Sequence, residues 1–342
     1  MKNKTLIIAI GLIVVVGIIF WITRSSDKSV TPIISPIPDT TAQKEFDNTT
    51  VSLDKIKTQA IEAVKLPDHV TSRFEKISNG KLGLLGNDQT IYVIDLASKE
   101  QKTFNIPDSL LEEEATFATY NDDFSQAIVG FGANNKVLYA DLISSQSTIL
   151  DLDNPVEALF ADEAYVFSGT KTLKISTIQS SKLVDYKDTQ LSPVKMKTLF
   201  FGNKIILANK EGIFSISKSI DKISSANTMT LGSNSSTLAI DSNDKNIEIF
   251  NQDLGKTKNL AADYKMSEIY IDSSQNIYVA ATYSEDANDK LIKFDQAGSQ
   301  QEIAFPDQYP DFLREFRIDQ ILSINGSEIY YSDQGNIFKI IL

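Results

Sequence analysis

Few side chains in this chain have much chemical reach. The stretch FPDQYPDFLREFRIDQ, residues 305–320, gathers Tyr309, Phe312, Arg314, Phe316 and Arg317. Phe312 and Phe316 stand at i, i+4 and Arg314 and Arg317 at i, i+3, a spacing that puts side chains together on one helical turn. Aromatics beside arginine anchor protein contacts and grip carboxylates. The other reading is that these aromatics seal a joint between neighbouring elements, since large apolar side chains are more often buried than exposed. A second set is acidic. Asp68, Asp88, Asp108, Asp244, Asp286, Asp289 and Asp307 all fall in turn-like stretches. Hard cations take carboxylate and carbonyl oxygens, which makes Asp244, Asp286 and Asp289 the candidates for Ca²⁺ or a cationic ligand. The same residues also make turns and stay solvated, and no stretch has EF-hand spacing. His69 follows Pro67-Asp68 in an expected surface link, with no nucleophile and orienting acid assignable to it, so no catalytic residue is assigned. Glu112, Glu113 and Glu114 read as a solvated loop.

Composition excludes more than it proposes. The 342 residues contain no cysteine, one His and one Trp. Disulfides, thiolate metal sites and a Cys nucleophile are therefore absent, as is any single-chain site built on several imidazoles. The formal charge of −12 opposes nucleic acid as a partner. Phosphate backbones are bound by clustered Lys and Arg, and Arg24, Arg73, Arg314 and Arg317 form no basic tract. LGSNSS at 231–236 lacks the Gly-Lys-Ser/Thr ending of a phosphate loop.

The elements that must position these groups begin with a membrane anchor. Residues 5–23, TLIIAIGLIVVVGIIFWIT, carry no charge. A helix of that length spans roughly 28 Å, close to a bilayer's hydrocarbon core. Leu6, Ile13 and Phe20 supply its lipid-facing bulk, and Trp21 falls where amphipathic rings settle at an interface. Lys2 and Lys4 precede the segment and favour a cytoplasmic N-terminus, so the expected location is the cell membrane, single-pass, with the C-terminal domain extracytoplasmic. The rival reading is a cleaved signal, but no Ala-x-Ala site follows and the apolar run is long for one. Residues 24–43, with Pro32, Pro36 and Pro38 among Ser and Thr, read as an extended stalk. The expected organisation is a short tail at 1–4, the helix at 5–23, the stalk at 24–43 and one domain at 44–342.

That domain repeats. GKLGLLGNDQTIYVIDLASKEQKTFNI at 80–106 gives an apolar run, a turn, an alternating run, a polar turn and a third run. The same order recurs at 125–152, 163–186, 203–224, 236–260, 275–305 and 326–342. Period-two alternation signals strands, and Gly, Asn and Asp supply the turns. One more short run precedes each copy, such as 116–120, 157–160 or 318–324. Seven units of four antiparallel strands, about 40 residues apart and almost free of helix, predict an all-β, seven-bladed β-propeller preceded by one transmembrane helix. The last copy stops after its third strand at Leu342, so a partner must come from elsewhere. Residues 60–66 would supply it if extended. The alternative is a short amphipathic helix carrying Leu53, Ile56, Ala60 and Val64 on one face, with residues 49–53 as the latch.

The sixth unit, IDSSQNIYVAATYSEDANDKLIKFDQAG, resembles the repeat of NHL, SMP-30 and related bacterial propellers. Asp272, Asn276, Ile277, Tyr278, Val279, Phe294, Asp295 and Gly298 carry the match, while the other units keep only the hydrophobic outline. WD40 signatures are missing, as are the Trp-rich motifs of quinoprotein propellers. The resemblance implies the fold and permits a metal-dependent lactonase or hydrolase holding a divalent ion in the central channel. The reading favoured here is a non-catalytic module that binds a protein, peptide or glycan, with membrane lipid contacted through the anchor. No cofactor is expected for it, Ca²⁺ being the ion that Asp244, Asp286 and Asp289 would accept.

Overall fold

A computed structural model describes residues 53–226, 228–242, 246–262, 264–282, 289–304 and 317–342. The anchor at 5–23, with Leu6, Ile13, Phe20 and Trp21, and the stalk lie outside these residues. Among the described residues, no helix is long and apolar enough to cross a membrane.

Hairpin chemistry sets the local structure. Blade 1 comprises Ser72–Ser78, Lys81–Gly86, Thr90–Asp95 and Gln101–Asn105, in that order across the sheet. Its first turn, Asn79-Gly80, has φ of 50° and 71°. Two successive positive φ values match the right-handed twist of the flanking strands, and Asn and Gly adopt them at least cost. The acid that ends the third strand explains why the repeated phrase closes on Asp. The Asp95 carboxylate accepts from the Ala97 and Ser98 N–H groups at 3.0 and 2.8 Å. Asp141 does the same for Ile143 and Ser144, and Asp295 for Gly298 and Ser299. These backbone bonds stabilise the charged form and hold all three carboxyls below their ordinary value.

Six further sheets repeat the pattern. Their first strands are Phe117–Tyr120, Pro155–Phe160, Lys197–Phe201, Leu231–Ser233, Lys265–Ile271 and Gln320–Asn325, for blades 2 to 7 in chain order. Each first strand lies at the centre, against the first strand of the next blade, and Gln320–Asn325 meets Ser72–Ser78 to close the circle. The core sits between the blades, in seven clusters matching seven seams. Leu85, Ile91 and Phe104 of blade 1 pack on Tyr120, Phe131 and Leu138 of blade 2. The last seam joins Leu322 and Ile337 of blade 7 to Leu82, Leu84, Tyr92 and Ile94 of blade 1. A four-stranded sheet with two apolar faces is dried only by its neighbours, so the ring is the smallest unit that buries every face.

The ring closes through the segment ahead of blade 1. Ala60–Ala63 pairs antiparallel with the third strand of blade 7, Asn336–Ile341, in the register Ala60↔Ile341 to Ala63↔Phe338. Ile61 enters the core beside Ile329 and Ile340. These residues form a strand and no helix: Ile61 is buried, Ala60 half-buried, and Glu62 and Ala63 are exposed. Just before it, Asp54–Lys57 adds a fifth strand to blade 6, parallel to Gln300–Ala304. Thr58 ties the two pairings together: its N–H and hydroxyl donate to the Ala304 carbonyl at 3.1 and 2.6 Å, while the Gln59 N–H donates to Ile341 at 2.7 Å. The N-terminal segment therefore staples blade 6 to blade 7.

Candidate functional site

The seven first strands line a central channel of about 1370 Å³. Four of them are bulged near their start, between Ser72 and Phe74, Pro155 and Glu157, Met266 and Glu268, and Ile321 and Ser323. A bulge re-aims the side chain that follows it. In blades 3 and 6 the side chain that follows is a glutamate, and both Glu157 and Glu268 line the channel.

Blade 4 answers both carboxylates with adjacent residues. The Lys197 ammonium donates to the two oxygens of Glu268 at 3.1 Å each. Glu268 is 14% and Lys197 33% exposed at the side chain, so this pair is substantially withdrawn from water. Burial raises the Glu268 carboxyl, and the lysine charge only partly offsets that. Next along the strand, the Thr198 N–H and hydroxyl donate to Glu157 Oε1 at 3.1 and 2.8 Å. Oε2 of Glu157 receives no hydrogen bond from a described residue. Burial pushes the Glu157 carboxyl up to about 7, against the lowering effect of the Thr198 bonds and the Lys197 charge. Glu157 is therefore poised to gain or lose its proton near neutrality, inside a channel.

Blade 5 makes room for this arrangement. A Cβ on Gly232 would lie 2.3 Å from the Ile269 carbonyl oxygen, so the missing side chain lets the first strand of blade 5 press against blade 6. Thr230 adds a hydroxyl bond to the Met266 carbonyl at 3.3 Å. In blade 1, Ser72 Oγ donates to Glu75 at 2.7 Å, and Lys76 donates to the Tyr120 carbonyl and to Asp122 at 2.8 and 2.7 Å. Arg73 pairs with Glu114 at 2.6 Å, which gives one member of the expected acidic loop a partner. Asp319 also lines the channel and takes the Gln334 N–H at 2.7 Å. Of the lining carboxylates, Asp122 and Glu268 are ion-paired, whereas Glu75 and Glu157 are held by hydroxyl and amide donors.

The residues singled out by sequence fall elsewhere. Asp244, Asp286, Asp307, Tyr309, Phe312, Arg314 and Phe316 lie outside the described residues, with the expected helical turn at 305–316. Asp289 opens the third strand of blade 6, and its Oδ2 accepts from the Ile318 N–H at 2.8 Å, tying that blade to the start of blade 7. Arg317 is exposed at the same place, and its charge opposes the rise that burial, Asp319 and Asp289 impose on the Asp333 carboxyl. Among the described residues, no group of three or more His, Asp or Glu is placed to hold a metal ion. His69 is an exposed turn residue at φ 67°. Asp88 accepts from the Tyr92 hydroxyl and the Thr90 N–H, so it serves its own turn. Sequence reasoning placed Glu157 on a first strand without giving it a role and passed over Lys197, Thr198 and Glu268. The available signal was a charged residue inside an apolar run immediately before a hairpin, at matching places in units 3, 4 and 6.

Glu157 makes a definite pH prediction. Its folded value lies near 7, above the ordinary 4.5, so the native state holds a proton that the unfolded chain has released across that window. The stability this proton represents is whole below 4.5 and is lost as pH rises through 7. Glu157→Gln keeps an acceptor for Thr198 and removes the titration. The variant should match the parent at pH ~5 and exceed it by about 1–3 kcal/mol at pH ~8, as read by urea unfolding at both values.

The sequence matches no known protein family and no curated protein. Solved structures are similar. A chain of the mitotic checkpoint complex aligns at TM-score 0.62 and 13% identity, over 92% of this chain and 99% of that one. The β-propeller domain of Cps50 (Swd1) from Myceliophteria thermophila aligns at 0.60 and 12%, over 83% and 100%. The computationally designed protein Ika8 aligns at 0.55 and 10%, over 84% and 100%. The chain is a seven-bladed β-propeller. At these identities the likeness of this propeller to its neighbours is one of fold.

Proposed function

We propose that this propeller is a membrane-tethered, extracytoplasmic binding module without catalysis, whose ligand is a protein, peptide or glycan engaged at the channel and the face around it. The observation that carries this reading is the channel lining, where Lys197, Thr198, Glu157 and Glu268 form an oriented hydrogen-bonding set. One structural neighbour is, by its description, part of a complex, which agrees with an interaction role for this fold. The tether rests on the uncharged segment at 5–23 and its flanking lysines. Kinship with NHL or SMP-30 propellers rests on the sixth unit alone.

The lactonase or hydrolase alternative draws on carboxylates of the channel such as Glu157 and Glu268, since a divalent ion would need oxygen ligands. Calorimetric titration of the full-length chain with Ca²⁺, Mg²⁺ and Zn²⁺ separates the two. Module behaviour predicts no stoichiometric binding, and one bound ion accompanied by lactone hydrolysis would contradict it. Protease added to intact cells should degrade a tag placed at Leu342, and a protected tag would contradict the extracytoplasmic placement.

A further inference from the structure

We propose that the channel receives a basic side chain, a lysine ammonium or arginine guanidinium, offered by a partner polypeptide, and that Glu157 is the carboxylate that pairs with it. The inference deepens the binding-module reading and rests on it. Three features of the wall point to a cation with N–H donors. Thr198 fixes the Glu157 carboxyl through one oxygen, so the group is already oriented and the second oxygen keeps its acceptor capacity for a guest. Lys197 does not fill that place, because Glu268 holds its ammonium through both oxygens. Finally, the lining carries three cations and five carboxylates, so an entering positive group meets a complementary wall. A channel of about 1370 Å³ has ample room for one extended side chain and its water.

Lys197 on blade 4 is the charge that acts on Glu157 directly, and the other charged groups lining the channel are Arg73, Glu75 and Lys76 of blade 1, Asp122 just after the first strand of blade 2, Glu268 of blade 6 and Asp319 just before the first strand of blade 7. The first strand of blade 2, Phe117–Tyr120, contributes no amine or carboxylate. Binding a cation requires the ionised carboxylate, so a carboxyl that sits at about 7 when empty makes affinity rise with pH across neutrality.

The test uses the full-length chain in detergent micelles at constant ionic strength, titrated with n-propylguanidinium and n-butylammonium chloride and followed by saturation-transfer NMR. We expect the parent to bind about tenfold more tightly at pH ~8 than at pH ~6, and Glu157→Gln to lose both the affinity and its pH dependence. Absence of binding at pH ~8, undiminished binding to Glu157→Gln, or a site that takes Ca²⁺ but neither organic cation would each overturn the proposal. The topology and metal tests above read different properties. Passing them while the Glu157→Gln result goes the wrong way would remove this inference alone, and failing them with the Glu157 effect intact would remove only the tethered, non-catalytic reading.

Discussion

Ile61→Asp should lower the melting temperature of the propeller by roughly 10–20 °C, whereas Ile56→Asp, five residues earlier, should cost only a few degrees. Ile61 is 7% exposed and lies in the seam between blades 6 and 7 with Ile329 and Ile340. Replacing it with a carboxylate forfeits about 2–3 kcal/mol of burial and adds the cost of an unpaired charge. The latch strand then detaches, which loses the pairing from Ala60 to Ala63 and leaves Asn336–Ile341 as an open edge. Blade 7 takes its fourth strand from the far end of the chain, whereas blade 6 has four strands of its own before Asp54–Lys57 is added, so the damage falls on the closure of the ring. Ile56 belongs to a strand that is mostly exposed and is added outside a blade already complete. Scanning calorimetry on both variants checks the contrast, and equal losses would mean that closure does not depend on this strand.

Lys197→Met should destabilise the propeller by about 2 kcal/mol at pH ~8 and by distinctly less at pH ~5. Removing one member of a buried ion pair costs roughly 3–5 kcal/mol because the other charge is left uncompensated. That figure is reduced here because a third of the lysine side chain remains exposed. The sign of the pH effect follows from Glu268. Its carboxyl is already raised by burial, and losing the lysine removes the interaction that restrains it. The variant therefore keeps its stability where Glu268 is protonated and loses it as pH rises from the ordinary glutamate range through the new, higher value. Adding Glu268→Gln should restore most of the loss. Urea unfolding of the single and double variants at the two pH values gives the answer, and a loss independent of pH would show that packing of the lysine stem, not charge, is what matters.

The two variants mark where sequence was informative and where it was not. The blades were legible because the partial alternation in TIYVID, KVLYAD and DKLIKF follows from a pleated strand whose successive side chains point to opposite faces, one of them less buried than the other. The closing acids Asp95, Asp141 and Asp295 were legible as punctuation, and their backbone bonds give the reason. The latch at Ala60–Ala63 was visible as a strand missing from the last unit, though its apolar spacing suited a helical turn equally well. Asp54–Lys57 was not visible. DKIK has one apolar residue, and a parallel addition to a finished blade needs no pattern of its own. The channel was hidden for a related reason. A side chain facing a water-filled lumen and one facing bulk solvent look alike in a polar-apolar alternation. The bulges before Glu157 and Glu268 also shift the register by one residue, so simple alternation assigns these side chains to the wrong direction. Pairing of Lys197 with Glu268, 71 residues apart, arises only once blades 4, 5 and 6 have stacked.

Burial in the ring's channel pushes the Glu157 carboxyl up to about 7, and carboxyl-carbon NMR of Glu157 in the unliganded protein tests this most directly. A midpoint close to 7 is the predicted result. A midpoint at the ordinary value of 4.5 would show a side chain bathed in bulk water, and would contradict both the burial of Glu157 in the channel and the site placed there.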